Sequence, residues 1–160
     1  MKNIKIHIGP TLELLRKNDL SNQWIREKLI KETLRRHSSI TPAIYISNNA
    51  YILIKKYYGG AIPRIKYAYS KFDKEIRNLY PLQFEHLHPV NQSMKAVIES
   101  DISIAEIIEN NQICIITKAE HNNLTEKGYK SERPNGWQDA YEKTGINVIL
   151  IESLNVKIGI

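Results

Sequence analysis

The stretch that decides the fold is Gln112-Ile113-Cys114-Ile115-Ile116-Thr117-Lys118-Ala119-Glu120. Its apolar run at 113–116 is short and almost uninterrupted, which is typical of a buried strand. Thr117 followed by Glu120 is a capping-box pattern, so a helix is expected to begin at Thr117 and run to about Gly128. The stretch therefore predicts a buried strand that passes directly into a helix.

The segments on either side complete the second half of the chain. Residues 83–89 predict a short extended segment that ends at a proline, and two helical stretches follow at about 92–99 and 103–110. Downstream, Pro134-Asn135-Gly136 predicts a turn, and a last apolar run at 146–151 predicts a strand. This half is therefore expected to contain short antiparallel strands and helices.

The first half of the chain has mainly helical patterns. After a short alternating start at residues 4–8, apolar residues recur at helical spacing over 11–36, with a break expected at 19–21. Further helices are expected at about 42–58 and 63–80. We therefore expect an α+β fold in one compact unit. It would have a helical region at residues 1–80 and a strand-containing region at 81–160.

Charge is distributed unevenly between the two halves. Residues 1–80 hold sixteen Lys and Arg against six Asp and Glu, whereas residues 81–160 hold seven against eleven. Because cationic side chains displace counterions from phosphates, the basic half predicts binding to nucleic acid, with a solvated basic surface as the alternative. The candidate contact residues are Arg26, Lys31, Arg35, Arg36, Arg64 and Lys66.

Composition excludes several classes of protein. The single cysteine, Cys114, excludes an internal disulfide network and a zinc site built from several thiolates. No apolar run approaches the roughly 20 residues of a membrane helix. The basic start of the chain lacks the apolar stretch of a signal peptide. The chain is therefore expected to be cytoplasmic, with no membrane partner.

Side chains suited to catalysis fall at two places. Glu85, His86 and His88 lie at the end of the predicted extended segment, and residues 120–123 form the first turns of the predicted helix. A histidine has an ordinary pKa near 6.5, which suits a general base. Oxygen ligands with one imidazole suit Mg²⁺ or Mn²⁺. The alternative is that these are ordinary polar side chains of a strand end and a helix start.

These motifs resemble a known family. Glu85-His86-Leu87-His88-Pro89-Val90 resembles the Asp/Glu-His-x-x-Pro element of HNH endonucleases, members of the ββα-metal superfamily. Residues 115–124 are similar to the second strand and helix of divergent members, and residues 128–146 are similar to the segment that follows. The resemblance covers roughly residues 80–147 and implies a ββα-metal finger that cleaves DNA.

The resemblance also implies roles for individual residues. His86 would be the general base, supported by His88, and Glu85 would bind one Mg²⁺ or Mn²⁺ ion. The helix would supply a further ligand, with His121 first, Asn122 or Asn123 as alternatives, and Glu120 last because the capping box uses its side chain. DNA would be the substrate, with RNA left open. Double-strand cutting would need a homodimer or two binding events.

Two other functions are compatible with the sequence. One is a non-catalytic helical regulator that binds nucleic acid and whose histidines are incidental. The other is an antitoxin or immunity protein, against which the basic half argues. A catalytic site requires that Glu85, His86 and a residue of the 120–123 turn lie within reach of one metal ion.

Overall fold

The computed structural model describes residues 8–17, 22–154 and 158–159. The extended start expected before Ile8 and the break expected at 19–21 lie outside these residues, as does His7. The helices are α1 Gly9–Lys17, α2 Gln23–Ile40, α3 Asn48–Tyr57, α4 Lys66–Ser70, α5 Lys74–Leu79, α6 Val90–Glu99, α7 Ile104–Asn110, α8 Lys118–Glu126 and α9 Gly136–Thr144. The strands are β1 Tyr45–Ser47, β2 Ile62–Pro63, β3 Leu82–His86, β4 Ile113–Thr117, β5 Val148–Leu150 and β6 Ile158–Gly159.

The main sheet has four strands in the order β3-β4-β1-β5. Strand β4 pairs antiparallel with β3 and parallel with β1, and β1 pairs antiparallel with β5. Strands β2 and β6 form a separate parallel pair. This small mixed sheet among many helices confirms the expected α+β class.

Strand β4 and helix α8 form as their sequence predicts. All five residues of β4 are buried. The Thr117 side chain accepts from the amide of Glu120, and the Glu120 side chain accepts from the amide of Thr117, which completes the capping box. Helix α8 then packs against β3 and β4. The first turn of α8 therefore lies beside the antiparallel β3–β4 pair.

Three apolar clusters hold the elements together. One packs one face of the sheet against α3. A second packs the opposite face of the sheet against α8 and α9. The third lies between α1, α2, α6 and α7, around the fully buried Leu34 and Val97. Because α6 and α7 connect β3 to β4, this helical cluster brings the C-terminal part of α2 to the end of β3.

Two expectations about local structure are wrong, and one helix was not expected. Residues 42–58 are not one helix, because Tyr45–Ser47 forms β1 and Ser47 then caps α3 with its side chain. The expected helix at 63–80 is divided into α4 and α5, and Asp73 caps the second piece. The turn at Pro134–Gly136 leads into an unexpected helix, α9.

Strand β1 also affects the expected division of the chain. It comes from the first 80 residues, yet it lies in the sheet between β4 and β5, which come from the second half.

Within the described ranges, no helix is both long enough and apolar enough to cross a membrane.

Candidate active site

Glu85 and His121 meet at the junction of β3, β4 and α8. Glu85 pairs with Cys114 in the β3–β4 register, and His121 lies in the first turns of the helix that follows β4. The Glu85 Oε2 atom is 2.9 Å from His121 Nδ1. The structure therefore brings together two residues that the sequence singled out 36 positions apart.

Arg133 is a third member of this cluster, and sequence reasoning missed it. Its side chain is only 1% exposed, and one guanidinium nitrogen donates to Glu85 Oε1 over 2.6 Å. The other donates to the carbonyl oxygens of His86 and Leu87, over 2.5 and 2.6 Å. Arg133 therefore fixes both the Glu85 carboxylate and the backbone at the end of β3.

The charge state of Glu85 follows from these contacts. Burial alone would raise its pKa, but the hydrogen bond with His121 and the positive charge of Arg133 outweigh burial. The pKa of Glu85 is therefore held below the ordinary 4.5. The side chain is a carboxylate at neutral pH, as a metal ligand must be.

His86 lies at the last position of β3 and lines the same open cavity as Glu85 and His121, which has a volume of about 230 Å³. Its Nε2 atom is 2.6 Å from the hydroxyl of Ser38, at the end of α2. Burial lowers the pKa of His86, and Arg133, Arg35 and Lys66 lower it further against the opposing charge of Glu85. The imidazole is therefore neutral at neutral pH and can accept a proton.

Glu120 has a structural role in this fold. It is 8% exposed, and its carboxylate accepts hydrogen bonds from the Ser47 hydroxyl at 2.7 Å, the Thr117 amide at 2.8 Å and the Asn49 amide at 3.0 Å. It does not line the cavity. These contacts occupy both carboxylate oxygens, so we do not include Glu120 in the candidate metal site.

The remaining predicted side chains near the site also lie outside the cavity. The Asn123 side chain donates to the carbonyl of Thr144 over 2.9 Å, and Asn122 is exposed on α8. His88 is half-buried beyond the end of β3, where burial and the charge of Arg133 lower its pKa. None of the three lines the cavity.

Two cationic side chains lie at the cavity itself. Arg35, from α2, and Lys130, from the loop after α8, both line it and are exposed to solvent. Sequence reasoning singled out Arg35 but not Lys130. Lys66 is also exposed and lies near enough for its charge to act on His86.

The other predicted nucleic-acid contacts are placed differently. The Arg26 guanidinium donates to the carbonyls of Leu15 and Arg16, at the end of α1. Arg64 donates to the carbonyl of Ala43 over 3.1 Å. Both therefore support the fold. Lys31 is half-buried on α2 and Arg36 is exposed there.

The donor atoms at this junction are one carboxylate oxygen of Glu85 and one imidazole nitrogen of His121. Around Mg²⁺, neighbouring ligand atoms of an octahedron lie about 3 Å apart, since each bond is about 2.1 Å. The 2.9 Å between Glu85 Oε2 and His121 Nδ1 equals that spacing and is also the ordinary length of an N–H···O hydrogen bond. Across the part of the chain that the structure describes, no group of three or more His, Cys, Asp or Glu side chains converges. Mg²⁺ commonly retains waters and binds substrate phosphate, so two protein ligands suffice.

Comparisons with family models, curated proteins and solved structures find no match to this chain. The function must therefore be argued from the side chains around the cavity.

Proposed function

We propose that this protein is a metal-dependent endonuclease of the HNH type that hydrolyses phosphodiester bonds in DNA, with RNA left open as a substrate. The observation that carries the proposal is the 2.9 Å contact between Glu85 and His121, made in the cavity that His86 also lines. The order of antiparallel β3 and β4 followed by α8 supports a ββα-metal finger.

Glu85 and His121 would hold one Mg²⁺ or Mn²⁺ ion. Such a cation stabilises the negative charge that develops on a phosphate and on its leaving oxygen. The lone pair of His121 Nδ1 would bind the ion in place of the hydrogen bond that this nitrogen makes with Glu85. Arg133 keeps the carboxylate oriented and ionised throughout, because it donates to the oxygen that does not face His121.

His86 would act as the general base. It is neutral at neutral pH because burial lowers its pKa, and it lines the cavity that the phosphate would enter. The imidazole would remove a proton from the attacking water, whose oxygen would form a bond to phosphorus as the bond from phosphorus to the 3′-oxygen breaks. The 3′-oxygen would leave and take up a proton from solvent. The product is expected to keep its 5′-phosphate, as the HNH resemblance implies.

Arg35 and Lys130 would hold the phosphate backbone at the cavity. Both line it and both are exposed, so a polyanion can reach them without a change of fold. Lys66 adds a third positive charge nearby. Phosphate contacts of this kind position the substrate and carry no sequence information of their own.

Each copy of the chain would have one such active site, and one active site would cut one DNA strand. Cutting both strands of a duplex therefore requires a homodimer or two successive binding events. A single-strand nick is the expected first product in either case.

Incubation with supercoiled plasmid tests the proposal. The wild-type protein should nick the plasmid with Mg²⁺ or Mn²⁺ and not with EDTA. His86→Ala should reduce the rate by about 10²–10⁴-fold, because a general base contributes that much. His37→Gln is the matched control and should cleave normally, because His37 lies on α2 and its side chain hydrogen-bonds to Thr41, just after the end of that helix. Binding without any cleavage by the wild-type protein would favour a non-catalytic nucleic-acid-binding regulator.

A further inference from the structure

A buried polar network lies behind His86, on the side of the ring that faces α2. The Nε2 atom of His86 is 2.6 Å from the Ser38 hydroxyl. The same hydroxyl lies 3.0 Å from the side-chain amide nitrogen of Asn111 and 2.8 Å from the carbonyl oxygen of Leu34. Ser38 is 9% exposed and Asn111 1% exposed, so water does not compete for these bonds.

The donors and acceptors of this network favour one placement of its protons. A serine hydroxyl has one proton to donate and two lone pairs to accept with. Inside a helix, serine commonly donates to the carbonyl four residues earlier, which for Ser38 is that of Leu34. The Asn111 amide donates to one lone pair. The second lone pair can then accept only from a protonated His86 Nε2.

The other ring nitrogen of His86 is Nδ1. Within the residues that the structure describes, Nδ1 has no hydrogen-bond partner, and it is not among the fully buried unpaired atoms. It therefore reaches solvent. A neutral imidazole with its proton on Nε2 presents its lone pair at Nδ1.

We infer that Ser38, held by Asn111, is a positioning residue that keeps the proton of His86 on Nε2 and leaves Nδ1 as the atom that takes a proton from water. The catalytic part of this inference rests on the proposed function, whereas the position of the proton does not.

Nitrogen-15 NMR of the histidine-labelled protein with EDTA tests the position of the proton. The His86 signal is identified by its loss in His86→Gln. In the wild-type protein the spectrum should show protonated Nε2 and unprotonated Nδ1. Ser38→Ala should give a mixture of both forms, and Ser39→Ala should not, because Ser39 is exposed and its hydroxyl donates to the carbonyl of Arg36.

Plasmid cleavage provides the second readout. Ser38→Ala should lower kcat roughly 10- to 100-fold with KM unchanged, a smaller loss than removal of the base itself. Ser38→Thr, which keeps the hydroxyl, should recover most of the rate if its added methyl group is accommodated.

The outcomes separate the inference from the proposed function. A wild-type spectrum with the proton on Nδ1, or an unchanged spectrum in Ser38→Ala, would overturn the inference even if the protein cleaves DNA. The wild-type spectrum alone decides this point if Ser38→Ala does not fold. A protein that shows the expected spectra but no cleavage would support the role of Ser38 in placing the proton and overturn the proposed function.

Discussion

Replacing Arg133 with Met should strongly destabilise the folded protein. The substitution keeps an unbranched apolar stem of similar length but removes the guanidinium, which donates to the Glu85 carboxylate and to the carbonyls of His86 and Leu87. Arg133 is 1% exposed and Glu85 13% exposed, so water replaces few of these bonds. Removing one partner of a buried ion pair costs about 3–5 kcal/mol, and we expect the free energy of unfolding to decrease by an amount in that range.

Urea denaturation followed by circular dichroism measures this loss. Lys95→Met is the matched control, because the Lys95–Glu132 ion pair is about half exposed on both sides, and its loss should change stability far less than the loss of Arg133. The double variant Arg133→Met with Glu85→Gln has neither charge of the buried ion pair, so no buried charge is left without a partner. Its loss of stability should therefore be smaller than the sum of the losses in the two single variants. A loss under about 1 kcal/mol for Arg133→Met would refute the role given to this side chain.

Three further predictions concern stability and substrate binding. Burial holds the pKa of three histidines, at positions 37, 86 and 88, below 6.5. As the pH drops through about 6.5, the unfolded chain therefore binds more protons than the folded protein. The urea concentration at the unfolding midpoint should decrease when the pH is lowered from about 7.5 to about 5.5, and a constant midpoint would contradict this. Glu120→Gln should cost about 1–3 kcal/mol, since a charged acceptor of several buried donors is lost, and Mn²⁺ affinity should stay the same. A weaker affinity in this folded variant would restore Glu120 as a ligand. Neutralising Arg35 and Lys130 together should reduce the slope of log affinity for DNA against log salt concentration by about 2, whereas Lys74→Ala with Lys118→Ala should not. If the Arg35 and Lys130 variant has the same slope as the wild-type protein, the cavity is not part of the DNA interface.

Local sequence signals predicted the part of the fold that depends on neighbouring residues. The apolar run 113–116 and the capping box at Thr117 and Glu120 identified β4 and the start of α8. Both signals arise from contacts within a few residues, so they can be read without knowing the tertiary structure.

Strand β1 could not be predicted in the same way. It has three residues, which is too short for a periodic pattern, and its place is fixed by pairing with β4 and β5, whose partner residues lie far along the chain. Helix α9 had a usable signal, because Trp137, Ala140, Tyr141 and Thr144 follow helical spacing and Gly145 ends the helix in a left-handed conformation.

The candidate site was predictable only in part. Glu85, His86 and His121 could be chosen because their residue types suit metal binding and proton transfer. Arg133, Lys130 and Ser38 gave no such signal, since an arginine or lysine in a polar loop and a serine near a helix end are usually solvated. Their roles come from the tertiary contacts that bring α2 and the loop after α8 to the end of β3.

The most direct measurement for the whole account is Mn²⁺ binding followed by electron paramagnetic resonance, with the wild-type protein, Glu85→Gln, His121→Ala and the exposed control Glu126→Gln. We predict one bound ion per chain in the wild-type protein and the control, and at least tenfold weaker binding in each of the other two variants, provided that circular dichroism shows them folded. Equal Mn²⁺ affinity in all four proteins would contradict the claim that Glu85 and His121 hold a cation.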